Sequence, residues 1–122
     1  MIVLDEQLCR PPLEQAIKRW YKGKVICILE LRPGTLVNDD AMPTLLRTAT
    51  SPTFVTSNYT DFWNRIAPNS AYCAVCLKLS MDRWAEVSPI LRGILSRAEF
   101  KTKKQRMGKV ISWSDGRIIW RE

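Results

Sequence analysis

Residues 52–63 read PTFVTSNYTDFW and contain the first indication of an α/β sheet. The apolar pair Phe54 and Val55 predicts a buried strand over Pro52–Thr56. A polar segment follows at once and leads to Asp61. Ligands of open α/β sheets bind outside the carboxyl ends of the strands. The stretch therefore predicts a carboxylate at the ligand-binding edge of a sheet.

Two more carboxylates follow a second apolar run, near the start of the chain. Residues Ile2–Leu4 are continuously apolar, which is typical of a buried central strand. Asp5 and Glu6 come directly after them. Since the carboxyl ends of neighbouring parallel strands lie at the same edge of a sheet, we expect Asp5, Glu6 and Asp61 to share one edge.

A third acidic pair, Asp39 and Asp40, stands at the start of a helix predicted over Asn38–Ala49. Acidic residues in the first turn interact favourably with the helix dipole, so helix capping alone is one interpretation. The second interpretation is that this helix start faces the same edge as Asp5 and Asp61. The sequence leaves both open.

The remaining segments continue an alternation of strands and helices. With apolar strands, this alternation predicts an α/β fold, namely a three-layer α/β/α sandwich with a mostly parallel central sheet. An Asp-Gly pair at 115–116 between two β-prone runs predicts a C-terminal β-hairpin. The further predicted segments are helices over Leu8–Tyr21, Thr60–Ile66 and Met81–Ala98 (the last kinked or split at Pro89), strands over Lys24–Leu31 and Ala71–Leu79, and hairpin strands over Val110–Trp113 and Arg117–Trp120.

Length and composition predict a single domain, 1–122, because 122 residues with 46% hydrophobic residues suffice for one core. No apolar run approaches the roughly 18 residues of a membrane span, so a soluble, cytoplasmic protein without a membrane partner is expected. The chain contains no histidine, which excludes Ser-His-Asp and Cys-His catalysis and histidine-containing zinc sites. Carboxylates, lysines, hydroxyls and thiols remain available for chemistry.

The cysteines Cys9, Cys27, Cys73 and Cys76 are interpreted as buried thiols in a reducing compartment. Cys73 and Cys76 form a Cys-x-x-Cys pattern, which is often a zinc or redox motif. They lie in a predicted strand, however, and residues three apart on a strand face opposite sides. Their sulfur atoms are therefore not expected to converge on one ion.

The formal net charge of +7 is consistent with solubility alone or with a polyanionic partner. Its densest part is a basic cluster formed by Lys101, Lys103, Lys104 and Arg106. This cluster is interpreted either as a solvated linker or as a grip on the phosphate backbone of RNA.

Several carboxylates at one edge repel one another unless a cation lies among them. The expected cation is Mg²⁺ or Mn²⁺, since both bind carboxylate oxygens and water. Such ions activate a water molecule and stabilise the charge that develops in phosphodiester hydrolysis, and this chemistry needs no histidine. The basic residues would then hold the phosphate backbone.

Three segments together resemble the PIN-like family of small metal-dependent ribonucleases: MIVLDEQL (1–8), NDDAMPTLL (38–46) and PTFVTSNYTDFW (52–63). The compact branch of that family, often the toxin half of a toxin–antitoxin pair, is the most similar. The resemblance covers residues 1–66 and implies a PIN-like fold with RNA as the substrate. It is compatible with an antitoxin protein or a homodimer as partner.

The resemblance also implies roles for individual residues. Asp5 is the anchoring metal ligand, and Asp61 is the last carboxylate. Asp39 is the better match to the helix carboxylate, with Asp40 as the alternative. The family often has an aspartate where this chain has Asn58, which can ligate a metal through its carbonyl oxygen but brings no charge.

The first hypothesis is therefore a metal-dependent endoribonuclease whose catalytic metal ligands are Asp5, Asp39 (or Asp40) and Asp61. Glu6 is expected to orient a metal ligand or a water molecule without contacting the metal itself. Thr56 and Asn58 are expected to contact the scissile phosphate or a metal-bound water. The alternative, favoured by Asn58, is a non-catalytic nucleic-acid-binding or protein-interaction module on the same fold.

Overall fold

The computed structural model describes residues 1–31 and 42–122 of the chain. Within these two ranges the protein is a mixed α/β fold with a six-stranded sheet. The strands are β1 (Ile2–Leu4), β2 (Val25–Cys27), β3 (Thr53–Thr56), β4 (Cys73–Leu77), β5 (Val110–Ser114) and β6 (Arg117–Arg121). Their order across the sheet is β2-β1-β3-β4-β5-β6, and only the β5–β6 pair among these strands is antiparallel.

The helices of the described ranges are short. They are α1 (Pro11–Lys18), α2 (Met42–Leu46), α3 (Tyr59–Trp63), α4 (Val87–Leu95) and α5 (Lys103–Arg106), with 3-10 turns over Glu6–Leu8, Ile28–Glu30 and Met81–Glu86. None of these helices is long and apolar enough to cross a membrane.

Strand β1 lies inside the sheet, between β2 and β3, as its continuous apolar sequence predicts. Leu4 pairs with Cys27 of β2 and with Val55 of β3. All three residues of Ile2–Leu4 are fully buried. The ladder continues one step further, because the backbone N–H of Asp5 donates to the Val55 carbonyl at 2.9 Å.

Helices cover both faces of the sheet because successive side chains of each strand point to opposite sides. Ile2 and Leu4 join a hydrophobic cluster with residues of α1 and α4, whereas Val3 joins a second cluster with residues of α2 and α3. Cys73 belongs to the first cluster and Cys76 to the second. The prediction that these two thiols face opposite sides is thereby confirmed.

Strand β2 is shorter than its apolar sequence predicts. The predicted strand runs over Lys24–Leu31, but the observed strand ends at Cys27 and a 3-10 turn follows over Ile28–Glu30. The Glu30 carboxylate accepts a hydrogen bond from the backbone N–H of Cys27 at 2.7 Å. This local bond stabilises a turn where apolar periodicity alone predicts a longer strand.

The helix predicted over Asn38–Ala49 begins outside the described residues. Its described part is helical over Met42–Leu46 and ends earlier than predicted. The Thr48 hydroxyl donates to the Leu45 carbonyl at 2.6 Å, which satisfies one of the acceptors that a helix end leaves without an intrahelical partner.

The helix predicted over Met81–Ala98 is divided, as the presence of Pro89 suggests. The division falls ahead of the proline, between a 3-10 turn over Met81–Glu86 and the helix α4 that begins at Val87. Pro89 is then the third residue of α4, where a backbone N–H has no intrahelical acceptor. A proline in the first turn is tolerated for that reason.

A disulfide bond joins Cys9 and Cys27, whose Cα atoms lie 5.4 Å apart. It corrects the expectation that all four cysteines are reduced thiols. The pairing follows from the strand register, which sets Leu4 beside Cys27. The 3-10 turn Glu6–Leu8 then brings the Cys9 sulfur back to 3.5 Å from the Leu4 carbonyl oxygen.

Removal of this disulfide by the double substitution Cys9→Ser and Cys27→Ser is expected to lower the free energy of unfolding by about 3 kcal/mol. The bond closes a loop with a sequence separation of 18 residues, which limits the freedom of the unfolded chain. Urea denaturation measures the loss. Reductant should destabilise the wild type by the same amount and leave the double variant unaffected. A urea midpoint of the wild type that does not change with reductant would contradict the assignment of the disulfide.

The remaining thiols, Cys73 and Cys76, are expected to resist alkylation in the folded protein. Burial raises the pKa of each to about 12, and the thiolate is the reactive form. At pH 8 the native thiols should react about a thousandfold more slowly than in urea, and their reactivity should rise only as the pH approaches 12. Mass spectrometry after iodoacetamide treatment without reductant measures this, and rapid modification of the native protein would refute it.

Candidate active site

The chain changes direction across the sheet between β1 and β3. From β1 it continues to β2 on one side, and from β3 it continues to β4 on the other. The adjacent carboxyl ends of β1 and β3 therefore flank the crevice at which open α/β sheets bind ligands. Asp5 directly follows β1 and Thr56 ends β3, so both predicted site residues lie at this crevice.

Asp5 is buried at this point, with 5% of its surface exposed. One carboxylate oxygen, Oδ1, accepts from the backbone N–H of Glu6 at 2.9 Å. The other, Oδ2, accepts from the hydroxyl of the fully buried Thr56 at 2.6 Å. A buried carboxylate requires such donors, since charge removed from water is otherwise costly.

The same network extends to Asp61. The Thr56 hydroxyl oxygen accepts from the backbone N–H of Asn58 at 3.0 Å, and the Asn58 side-chain amide donates to Asp61 Oδ2 at 2.9 Å. Hydrogen bonds thus connect the four residues Asp5, Thr56, Asn58 and Asp61. The structure brings these predicted residues together at one edge of the sheet.

Helix α3 sets the position of Asp61. Its buried residue Phe62 packs edge-on against Phe54 of β3, with 5.3 Å between the ring centroids. Because Phe62 faces the sheet, its neighbour Asp61 lies at the partly exposed start of the helix, within reach of Asn58. Aromatic packing on the sheet therefore fixes the more exposed of the two carboxylates.

Glu6 contributes through its backbone. Its N–H binds Asp5, while its side chain is exposed in the 3-10 turn Glu6–Leu8. The remaining predicted carboxylates, Asp39 and Asp40, lie outside the described residues.

The donor chemistry of the network fits Mg²⁺ or Mn²⁺. Asp5 and Asp61 offer carboxylate oxygens, the ligands that both ions prefer. Within 1–31 and 42–122 no group of three or more His, Cys, Asp or Glu residues comes together to hold a metal. A complete set of carboxylate ligands would therefore need Asp39 or Asp40 as well.

Lys78 is a cation at this edge that sequence patterns do not single out. It directly follows β4, is exposed, and places its Nζ 5.9 Å from the centroid of the Tyr59 ring in α3. Lys78 directly follows a buried strand, as Asp5 does after β1. This position is the sequence feature from which Lys78 could have been predicted as a site residue. A lysine there can bind a phosphate that approaches the crevice.

The predicted basic cluster lies at the amino-terminal ends of the strands, opposite the crevice. Arg106 Nε donates at 3.2 Å to the Thr53 hydroxyl, and Thr53 begins β3, whereas Thr56 at its other end faces the acidic crevice. The segment is not a linker, because Thr102 caps the helix α5 through the backbone N–H of Gln105. The cluster therefore does not border the acidic crevice.

The members of the cluster also differ in exposure. Lys101, Lys103 and Lys104 are exposed, but Arg106 is only 4% exposed and donates from Nη1 to the carbonyls of Phe100 and Lys101 at 3.0 and 3.3 Å. Arg106 is therefore not the fully exposed RNA-binding side chain that the sequence predicts. Its guanidinium instead holds the surrounding backbone in place.

Comparisons with known proteins identify no relative. No family model, no curated protein and no solved structure matches the chain. The resemblance to the PIN-like family stays a prediction that rests on its three sequence segments.

The substitution Thr56→Val is expected to lower the free energy of unfolding by about 2 kcal/mol. It keeps the shape of the side chain but deprives the buried Asp5 carboxylate of a charge-assisted hydrogen bond. Thr56→Ser is the matched control, because it retains the hydroxyl and should recover most of the loss. Equal destabilisation by valine and serine in urea denaturation would show that packing, and not this bond, determines the effect.

Proposed function

We propose that the protein is a Mg²⁺- or Mn²⁺-dependent endoribonuclease with a PIN-like α/β/α fold. The observation that carries the proposal is the buried carboxylate of Asp5 at the crevice between β1 and β3, connected to Asp61 through Thr56 and Asn58. A fixed pair of carboxylates at the ligand-binding edge of an α/β sheet suits a metal ion better than it suits proton transfer, because Asp5 is held by two donors.

In this proposal Asp5, Asp61 and one of Asp39 and Asp40 hold the metal. When bound, the ion would supply an activated water and stabilise the charge that develops on the scissile phosphate. Asp5 would anchor it, since its carboxylate is already oriented by the Glu6 N–H and the Thr56 hydroxyl. Lys78 would bind an RNA phosphate beside the crevice. An antitoxin or a second copy of the chain would be a protein partner.

A second candidate function is supported by one contact. At the position where the PIN-like family often has an aspartate, Asn58 donates its amide to Asp61 at 2.9 Å. A neutral donor stabilises the Asp61 carboxylate without a metal ion. This contact favours a module that binds nucleic acid or protein on the same fold but does not cleave.

The substitution Asp5→Asn is expected to lower the rate of RNA cleavage in Mn²⁺ by at least about a hundredfold while the protein stays folded. It removes the charge of the anchoring carboxylate and preserves its size. Cleavage of a fluorescent single-stranded RNA measures the rate, and circular dichroism verifies the fold. Asp115→Asn, the same change in the exposed β5–β6 turn, is the matched control and should leave the rate unchanged.

Two results would decide against cleavage at this site. Full activity of Asp5→Asn would refute the assigned role of Asp5. Wild-type protein that leaves RNA intact in excess Mn²⁺, yet binds it with an affinity that falls steeply with salt, would establish the non-catalytic alternative.

A further inference from the structure

A cavity of about 490 Å³ lies near the amino-terminal edge of the sheet, away from the acidic crevice. Its walls come from the residues that follow α1, from α4, and from the segment that leads into and forms α5. Arg106, in the wall, binds Thr53 at the start of β3, while Asp5 lies beyond the other end of the paired strand β1. The volume is within the range of small-ligand sites.

Among the described residues that line the cavity none is acidic and five are cationic: Lys22, Arg92, Lys101, Lys103 and Arg106. Like charges this close repel one another, so their arrangement favours an anion that binds several of them at once. The positive field is strong enough to act on a neighbouring group. After burial, Lys103 and Arg106 are the charges that lower the pKa of the Met1 amine, to about 6.

Arg106 gives the cavity a fixed anion-binding group. It is 4% exposed, and its Nε and Nη1 already bind Thr53, Phe100 and Lys101. Within the described part of the chain Nη2 makes no hydrogen bond, and it is not sealed from solvent. The guanidinium is therefore held in place by two nitrogens while the third can donate to a ligand. Phosphate oxygens are suited to such a donor.

Two aromatic rings form another part of the wall. Trp20 is held by its indole N–H, which donates to the Ser88 hydroxyl at 2.9 Å. Tyr21 lies against Gly23, where a Cβ atom would come within 2.8 Å of the tyrosine Cε2, so a larger residue at position 23 would displace the ring. Rigid aromatic rings beside cations are a common arrangement for a nucleobase attached to a phosphate.

We infer that this cavity binds a nucleoside phosphate, with the phosphate on Arg106 and the lysines and the base against Trp20. The ligand is either a free nucleotide or the phosphorylated end of an RNA, and both carry the same phosphate monoester. A second cavity of about 430 Å³ shares Trp20 and Arg92 with the first and adds Arg19, which gives a longer chain room to continue. The inference does not depend on the metal site at the other edge.

Calorimetric titration of the full chain with AMP and with pyrophosphate tests this site. The double substitution Lys101→Glu and Lys103→Glu should weaken binding of both by about tenfold or more, because it reverses two charges that line the cavity. Lys18→Glu with Lys104→Glu is the matched control. It makes the same change in net charge on α1 and α5 at exposed positions outside the cavity, and should weaken binding by less than about threefold.

Two further titrations identify the parts of the ligand. Trp20→Leu should weaken the binding of AMP but not that of pyrophosphate, because only AMP has a base to stack. A short RNA with a 5′ phosphate that binds more tightly than AMP, and more tightly than the same RNA with a 5′ hydroxyl, would assign the site to an RNA end. Binding of AMP without that RNA preference would assign it to a free nucleotide.

The inference would be overturned in any of three ways. The first is that neither AMP nor pyrophosphate binds saturably to the folded protein. The second is that the control pair weakens binding as much as the cavity pair, which would indicate a diffuse surface field. The third is that Trp20→Leu leaves the affinity for AMP unchanged, which would show that the base does not contribute to binding. Circular dichroism verifies that each variant is folded.

Discussion

The hydrogen bond from the Thr56 hydroxyl to the Asp5 carboxylate, 2.6 Å long, is the interaction on which the acidic crevice depends. It joins the ends of the two strands between which the chain changes direction, and it fixes a carboxylate that would otherwise be costly to bury. The same hydroxyl accepts from the Asn58 backbone and so orients the residue that binds Asp61. The disulfide from Cys9 to Cys27 also holds the backbone at Asp5, because the Cys9 sulfur lies 3.2 Å from the Asp5 carbonyl oxygen.

The two edges of the sheet have opposite electrostatic character. At the carboxyl edge, Asp5 and Asp61 belong to one network, with Lys78 close by. At the amino ends of the strands, five cations and no acidic residue of the ranges 1–31 and 42–122 line one cavity. Strand β3, which has four residues and a length of about 13 Å, lies between the two edges. Under the two proposals, an RNA long enough to contact both ends of the strands would have its cleaved bond at one end and its phosphorylated terminus at the other.

Much of this fold follows from the sequence because apolar runs mark buried strands. Ile2–Leu4 and Pro52–Thr56 predict the central pair, and with it the meeting of Asp5 with Thr56. The sequence is less informative where one side chain decides the outcome. Glu30 ends β2 early by binding the Cys27 backbone, and no periodicity reveals that bond.

Long-range pairings are also hidden from sequence patterns. The Cys9–Cys27 bond depends on the register of β1 against β2 and on a tight turn after Leu4. The run KTKKQR at 101–106 has the composition of a solvated segment, yet Arg106 folds inward because Thr53 and two backbone carbonyls offer acceptors. The cationic cavity combines residues from 20 to 106 and has no local signature.

Anomalous diffraction from crystals soaked in Mn²⁺ tests most directly whether Asp5 and Asp61 belong to a metal centre, as we propose. We predict an anomalous peak at the carboxyl end of β1, within bonding distance of the Asp5 carboxylate and on the side facing Asp61. Crystals that take up Mn²⁺ elsewhere and show no peak beside Asp5 would contradict it.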